Sequence, residues 1–347
     1  MADRVLVTGA SGFLAKHCIA ALLARGFDVR GTLRRPTTAA EVVAAVAKLV
    51  DPSGRLDFAT LDLTKDQGWN EAAAGCRYLM HVASPFPLQV PKDPNELVTP
   101  AVGGTRRALA AAARAGVERA VLTSSVAAIT SGHPDSPGRI YTEADWSDAA
   151  SPTISPYSLS KTLAERAAWD FIAEDKSGMR LAVINPGLIL GPALDRDIGG
   201  SADVIRMFLL GKYPALPRLQ FSIVDARDVA AMHVDAMLAP KAAGERFVCA
   251  GETLWLKDIG HILLERFPAF RRKLPTRELP DFVVRLAAIF DATLRAALPD
   301  LGKARPISNR KAREQLGFAF RPAEDAIVAT AQSLIDLGLV TAPGSGR

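Results

Sequence analysis

Through its first half the chain alternates short runs of Val, Leu and Ile with longer stretches in which apolar residues recur every three or four positions. This is the pattern of strands and helices taking turns in a parallel sheet. Strands are predicted at 4–8, 28–33, 56–61, 78–83, 120–124 and 180–185, with helices filling the gaps. The first helix is the clearest, because Leu14, Cys18, Ile19, Leu22 and Leu23 fall on one face and Gly26 ends it. Another runs through 104–115 and stops at Gly116, and a third opens at Ser155-Pro156, a capping residue followed by proline at the first helical position.

After Pro186 the pattern becomes irregular and richer in Gly and Pro, which reads as a loop region at 187–217 and the start of a second region. A strand at 221–224 and a helix at 226–238 are expected to return to the sheet. From Glu252 the chain reads as mostly helical, with Phe282, Leu286, Ile289, Phe290 and Leu294 near helical spacing and a last helix at 323–337. The expected organisation is a nucleotide-binding domain over 1–185, rejoined by 221–240, and a smaller, mostly helical substrate-binding region over 186–220 and 241–340. Residues 341–347 read as a loose tail.

Composition narrows this picture only slightly. With 347 residues, 49% hydrophobic and 23% charged, the chain is neither disordered nor fibrous. Three cysteines, Cys18, Cys76 and Cys249, are too few and too far apart for a disulfide framework or a thiolate zinc site, which favours a reducing compartment, with the cytoplasm as the default. No apolar run reaches the length of a membrane span, since the stretch 282–298 is broken by Arg285, Asp291 and Arg295. The net charge of +5 is regional: between Glu265 and Arg321 thirteen Lys and Arg face six Asp and Glu, so the rest of the chain is slightly acidic. Because those charges are interleaved with apolar residues at helical spacing, they read as a solvated helical face and not as a nucleic-acid site. His17, His81, His133, His233 and His261 show no metal-ligand spacing, and no metal is expected.

Candidate chemistry begins at the end of the first strand, with Gly9, Ser11, Gly12, Phe13 and Leu14 leading into the first helix. Gly9 permits the sharp turn, Gly12 leaves the helix N-terminus open to a pyrophosphate, and Ala15 lets helix and sheet pack closely. In an alternating chain this predicts an α/β fold of the Rossmann type, a doubly wound parallel sheet with a dinucleotide at its edge. Arg34 and Arg35 follow the second strand, where an acid would suit unphosphorylated ribose. Guanidinium groups there suit a 2′-phosphate, so the expected cofactor is NADP(H). Asp62-Leu63, past the third strand, could meet the adenine amino group, although Asp62 could equally cap a helix.

Tyr157 and Lys161 are four residues apart on a predicted helix and share a face. An ammonium beside a phenol is expected to lower the phenol pKa and so make it a proton donor or acceptor near neutral pH. The other three tyrosines, Tyr78, Tyr141 and Tyr213, have no lysine at this spacing.

With these motifs in place, the chain resembles the extended short-chain dehydrogenase/reductases over essentially its full length. The resemblance rests on VTGASGFLAKH at 7–17, HVASPF at 81–86, VLTSSVAAI at 121–129, YSLSK at 157–161, NPGLILGP at 185–192 and SNRKAREQLGF at 308–318. It is strongest to the branch of dihydroflavonol reductases, cinnamoyl-CoA reductases and microbial aldehyde or methylglyoxal-type carbonyl reductases. It implies that Ser125 binds the substrate carbonyl oxygen, that Tyr157 is the general acid, and that Lys161 tunes Tyr157 and holds the nicotinamide ribose. It further implies that Val82, Ala83, Ser84, Thr123, Pro186, Gly187, Leu188 and Ile189 line the nicotinamide half, with Ser201 a further cofactor candidate. Ser124 is expected to be buried packing. The chain reads Ile154-Ser155-Pro156-Tyr157-Ser158 where many plant cinnamoyl-CoA reductases carry Asn, Trp and Cys around the tyrosine, which argues against a CoA thioester.

An apolar wall of Phe86, Val126, Ile129, Leu188, Val204, Met207, Phe208 and Phe221 is expected to take a hydrophobic aldehyde or ketone, with no charge for a sugar diphosphate. The expected activity is an NADPH-dependent carbonyl reductase, reversible as an alcohol dehydrogenase, acting on a small molecule as a monomer or homodimer. An epimerase or hydroxysteroid dehydrogenase on the same scaffold is the second reading, and a non-catalytic cofactor sensor the third.

Overall fold

A computed structural model describes residues 2–85, 91, 93–275 and 277–342. The strands are β1 (Arg4–Val7), β2 (Asp28–Leu33), β3 (Leu56–Thr60), β4 (Tyr78–His81), β5 (Arg119–Thr123), β6 (Arg180–Pro186), β7 (Leu188–Leu190), β8 (Gln220–Asp225), β9 (Glu245–Cys249) and β10 (Thr253–Trp255). The helices are α1 (Phe13–Ala24), α2 (Ala39–Ala47), α3 (Trp69–Ala73), α4 (Asn95–Arg114), α5 (Pro156–Glu174), α6 (Gly199–Leu209), α7 (Ala226–Leu238), α8 (Leu256–Arg266), α9 (Asp281–Ala287), α10 (Ala292–Ala297), α11 (Arg310–Leu316) and α12 (Ala323–Asp336).

Seven strands form one parallel sheet in the order β3-β2-β1-β4-β5-β6-β9. The order reverses at β1, which pairs with both β2 and β4, so the chain leaves neighbouring strands in opposite directions and a crevice opens at their carboxyl ends. Alternation along β1 places Val5 and Val7 in the core under α1 and α7, with Ile19, Val29, Ile184, Val229 and Phe247. Leu6 points the other way, into the core beneath α3, α4 and α5, with Trp69, Leu79, Leu109, Ala112 and Ala168. Burying both faces is what makes these strands read as continuous apolar runs.

The second region has its own core, in which α6, α8 and α12 pack over a small sheet of order β10-β8-β7. Here the structure departs from the sequence reading. The expected loop at 187–217 contains β7 and α6; Ala202, Ile205, Phe208 and Leu209 are buried along one face of the helix, a period masked by Gly199-Gly200 at its start. Strand β8 pairs with β7 and β10 and not with the main sheet, so only α7 of the 221–240 stretch packs against α1, β5 and β6. The last strand of the main sheet is β9, in a segment expected to belong to the substrate region, and its Glu245-Arg246 start obscured it in the apolar pattern. Helix α4 begins at Asn95, well before 104, and accommodates Pro100 within its early turns. Of the residues near helical spacing, Phe282 and Leu286 lie on α9 and Leu294 on α10, which Asp291 caps, while Ile289 and Phe290 fall between them; Phe282, Leu286, Ile289 and Phe290 are exposed.

The segment between β7 and α6 is held from two sides. On the nucleotide side, buried Lys16 pairs with Asp195, His17 Nε2 bonds the Pro192 carbonyl at 3.0 Å, and Lys48 donates to the Leu194 carbonyl at 2.6 Å. On the other side, the amides of Gly191 and Ala193 donate to the hydroxyls of Thr330 and Ser333 on α12, at 2.7 and 2.9 Å. Among the described residues no helix is long and apolar enough to cross a membrane.

Candidate active site

The glycine loop follows directly from β1. Gly9 has φ +70°, and a Cβ there would lie 2.8 Å from that of Ala83, so both backbone conformation and close packing require glycine. Gly12 is the N-cap of α1 in extended conformation, its amide bonded to the Gly9 carbonyl at 2.9 Å, and no side chain caps the helix. The first amides of α1 therefore face the crevice as donors for an anion. Phe13 and Leu14 are buried, and Ser11 is partly exposed at the loop. Gly199, at the start of α6, approaches the Phe13 side chain, and Ser201 follows it, half-buried, in the first turn of that helix.

Arg34 and Arg35 emerge exposed from the end of β2. Asp62 lies near Arg34, but its Oδ1 accepts from the Thr64 amide at 2.9 Å and hydroxyl at 2.7 Å, and these bonds hold its carboxyl below the usual range. It forms a turn and not a helix cap, since α3 starts only at Trp69. Leu63 packs close to Gly104 of α4.

The catalytic candidates converge at the carboxyl end of β5. Thr123, Ser124 and Ser125 leave the strand in three different directions. Thr123 Oγ1 bonds His233 Nε2 at 2.7 Å; because His233 Nδ1 donates to the Val229 carbonyl, Nε2 is the acceptor and the threonine hydroxyl donates. Ser124 is buried and donates to Glu165 Oε2 at 2.5 Å, in keeping with a packing role. Ser125, extended at φ −164°, accepts the Ala127 amide at 3.1 Å and caps the short helical turn Val126–Ala128.

Helix α5 brings Tyr157 and Lys161 to the same place. Ser155 caps it by accepting from the Ser158 amide at 3.1 Å, and Pro156 occupies its first position. A hydrogen bond joins the Ser125 and Tyr157 hydroxyls and draws the phenol pKa down, but burial outweighs it and the phenol stands above its ordinary value. The expected lowering of the phenol by Lys161 is not found, because burial dominates and the lysine turns elsewhere. Lys161 Nζ points instead to the Thr123 carbonyl at 3.4 Å, and burial, opposed by Glu165, lowers its pKa to about 8.

One narrow cleft is lined by Leu63, Ala83, Ser84, Thr123 and Lys161 together with His81, gathering expected cofactor residues from the ends of β3, β4 and β5 and from α5. His81 itself is buried, bonds Thr8 Oγ1 at 2.9 Å and is held neutral by burial with a pKa of about 3, which is a structural role. Val82, Leu188 and Ile189 are half-buried, Pro186 is buried, and Gly187 is required because a Cβ would lie 2.1 Å from the Ser222 carbonyl oxygen.

The apolar wall is only partly assembled. Val126, Val204, Met207 and Phe221 are half-buried. Phe208 and Ile129 are fully buried and belong to the core: Phe208 stacks edge-on with Tyr213 under α6, and Ile129 packs with Tyr141, Val248 and Ala250. Phe86 lies outside the described residues. Among the described residues no cluster of potential metal ligands occurs.

The sequence reading missed the charged group behind this site. Glu165, fully buried, accepts from Asn185 Nδ2 at 2.8 Å and from Arg246 Nε at 2.5 Å. Its only sequence signal is its position one turn beyond Lys161.

Residues 5–250 match the NAD dependent epimerase/dehydratase family. Cinnamoyl-CoA reductase 1 of Petunia hybrida is 33% identical over 98% of this chain and 94% of that protein, and the ketoreductase azaE of Aspergillus niger is 30% identical over 97% and 98%. Among solved structures, the yeast methylglyoxal/isovaleraldehyde reductase Gre2, complexed with NADPH, superposes with a TM-score of 0.82 at 27% identity, covering 96% of this chain and 99% of that one. With a glycine loop at the switch point and serine, tyrosine and lysine converging beside it, the chain belongs to the NAD dependent epimerase/dehydratase family, as an extended short-chain dehydrogenase/reductase.

Proposed function

We propose that this protein is an NADP(H)-dependent oxidoreductase that reduces the carbonyl of a hydrophobic aldehyde or ketone, and reverses the reaction on the alcohol. The observation that carries the reading is the hydrogen-bonded Ser125–Tyr157 pair with Lys161 one turn along the same helix, the lysine lining a narrow cleft with Ala83 and Ser84. The residues present fit the cofactor: the uncapped N-terminus of α1 suits its pyrophosphate, and exposed Arg34 and Arg35 suit a 2′-phosphate. Gre2, a structural neighbour, is an NADPH complex. When bound, NADPH supplies the hydride that reaches the carbonyl carbon.

The chain's residues act on the carbonyl oxygen. As the C=O π electrons move onto oxygen, Ser125 Oγ and Tyr157 Oη donate hydrogen bonds to it, and those bonds strengthen as its charge grows. Tyr157 then transfers its proton to that oxygen, completing the alcohol, and is reprotonated from solvent. A buried ammonium at Lys161 offsets the charge left on Tyr157. Half-buried Val126, Val204, Met207 and Phe221 supply an apolar approach for the substrate.

A second reading, reduction of a CoA thioester, is favoured by the full-length likeness to cinnamoyl-CoA reductases. The test is NADPH consumption across aromatic and aliphatic aldehydes and ketones, with a cinnamoyl thioester and a nucleotide sugar in the same panel. Turnover of the carbonyls supports the proposal. Turnover of the thioester alone would move the protein to the second reading, and turnover of the nucleotide sugar alone would refute both.

A further inference from the structure

Behind the proposed catalytic residues lies a buried ion pair that the reaction as described does not use. Glu165 stands on α5 one turn beyond Lys161 and two beyond Tyr157, with its side chain fully buried. Its Oε2 accepts from Ser124 Oγ at 2.5 Å on the exit of β5 and from Asn185 Nδ2 at 2.8 Å on β6. Its Oε1 accepts from Arg246 Nε at 2.5 Å on β9 and from Trp169 Nε1 at 3.4 Å on its own helix. One carboxylate thus fastens the ends of three adjacent strands to the helix that carries the tyrosine and lysine.

The serine end of this connection is held twice. Asn185 Nδ2 also donates to the Ser125 carbonyl, at 3.2 Å, so the residue before Ser125 and the backbone of Ser125 itself both lead back to Glu165. Arg246 is held in turn: its Nη1 donates to the carbonyls of Glu143 and Asp145, both at 2.9 Å, and its guanidinium lies 3.8 Å over the Trp146 ring. An arginine so fixed holds the Glu165 carboxylate in one rotamer. Glu165 and Lys161 line the same narrow cleft.

We infer that Glu165, locked by Arg246, is a positioning residue: it sets Ser125 against Tyr157 and supplies the fixed negative charge that Lys161 faces. The inference rests on the proposed reading for its catalytic meaning, but its geometry belongs to the protein without cofactor. The groups facing Lys161 are Glu165 on α5, the Thr123 carbonyl on β5 and the neutral His81 on β4, with Arg246 behind Glu165. Glu165 is the one negative charge among them, and it opposes the burial that lowers the lysine pKa to about 8.

The test is the titration of Lys161 in cofactor-free protein, followed by NMR of 13C-labelled lysine and assigned with Lys161→Arg. Glu165→Gln is expected to reduce the proton affinity of Lys161 about tenfold or more. Because that variant leaves Arg246 buried and unpaired, Glu165→Gln/Arg246→Gln provides a neutral pair that folds if the single variant does not, with a smaller shift in the same direction. In the holoenzyme, the high-pH limb of kcat should move down with the lysine, while KM for the carbonyl and NADPH affinity stay within about twofold. Glu165→Asp should restore the lysine titration. A folded variant whose Lys161 titrates as in the wild type overturns the inference. If the carbonyl panel is inert but the titration shifts, the reading of function fails and the electrostatic role of Glu165 stands.

Discussion

Mild acid should destabilise this protein through histidines that the fold keeps neutral. His17, His81 and His233 are buried, and burial lowers their pKa values from 6.5 to about 4, 3 and 4. His233 is committed as a neutral ring, since it donates through Nδ1 and accepts from Thr123, while in His81 and His17 burial keeps the ring neutral, in His17 against the opposing pull of the Pro192 carbonyl. A folded-state pKa below the unfolded one means that the unfolded chain binds more protons between the two values, so stability is lost as pH falls below 6.5 and continues to fall towards 4. At pH 5 the folded rings are still neutral while the unfolded ones are largely charged, which costs about 2 kcal/mol per histidine and about 6 kcal/mol for the three. Against a total stability of roughly 5–15 kcal/mol that is a large fraction. Urea unfolding at pH 7.5 and pH 5.0 measures it directly, and His233→Gln, which retains a donor and an acceptor, should remove about a third of the difference. Equal stability at the two pH values, or an undiminished difference in His233→Gln, would show that these rings are not the buried neutral groups described.

Two further outcomes address the site. Tyr157→Phe should lower kcat by roughly 10²–10⁴-fold, as loss of a general acid does, with NADPH affinity measured by fluorescence nearly unchanged; preserved turnover would refute the role given to Tyr157. Arg34→Ala should weaken NADPH by roughly 10–150-fold, the worth of one charge-assisted bond to phosphate, while NADH changes little. An equal loss for both cofactors would remove the basis for 2′-phosphate recognition.

What could be read in advance was whatever lies close together in sequence. Gly9 and Gly12 are three apart, Tyr157 and Lys161 four, and the repeating strands and helices signal their type within a dozen residues. Helix α6 escaped because Gly199-Gly200 and the surrounding prolines dominate its local composition, although Ile205, Phe208 and Leu209 carry a helical period that only its partners α8 and α12 make decisive. Strand β9 escaped for a related reason: Arg246 sits in a buried strand because Glu165, 81 residues earlier, neutralises it. An apolar residue near a motif fits core and pocket alike until packing decides, as it does in burying Phe208 while Val204 stays half-buried. Long-range charge pairing and the choice between two apolar environments are tertiary properties, and no local pattern encodes them.

The segment from Gly191 to Ile198 has the composition of a flexible joint between the nucleotide half and the substrate half. Its fastening by Lys16, His17 and Lys48 on one side and by Thr330 and Ser333 on the other makes it a splint. Helices α1 and α12 are therefore braced to each other through this flank. In the proposed reading, enlarging the substrate range by design means reshaping the partly exposed side chains of α6, Val204 and Met207, while leaving the splint untouched.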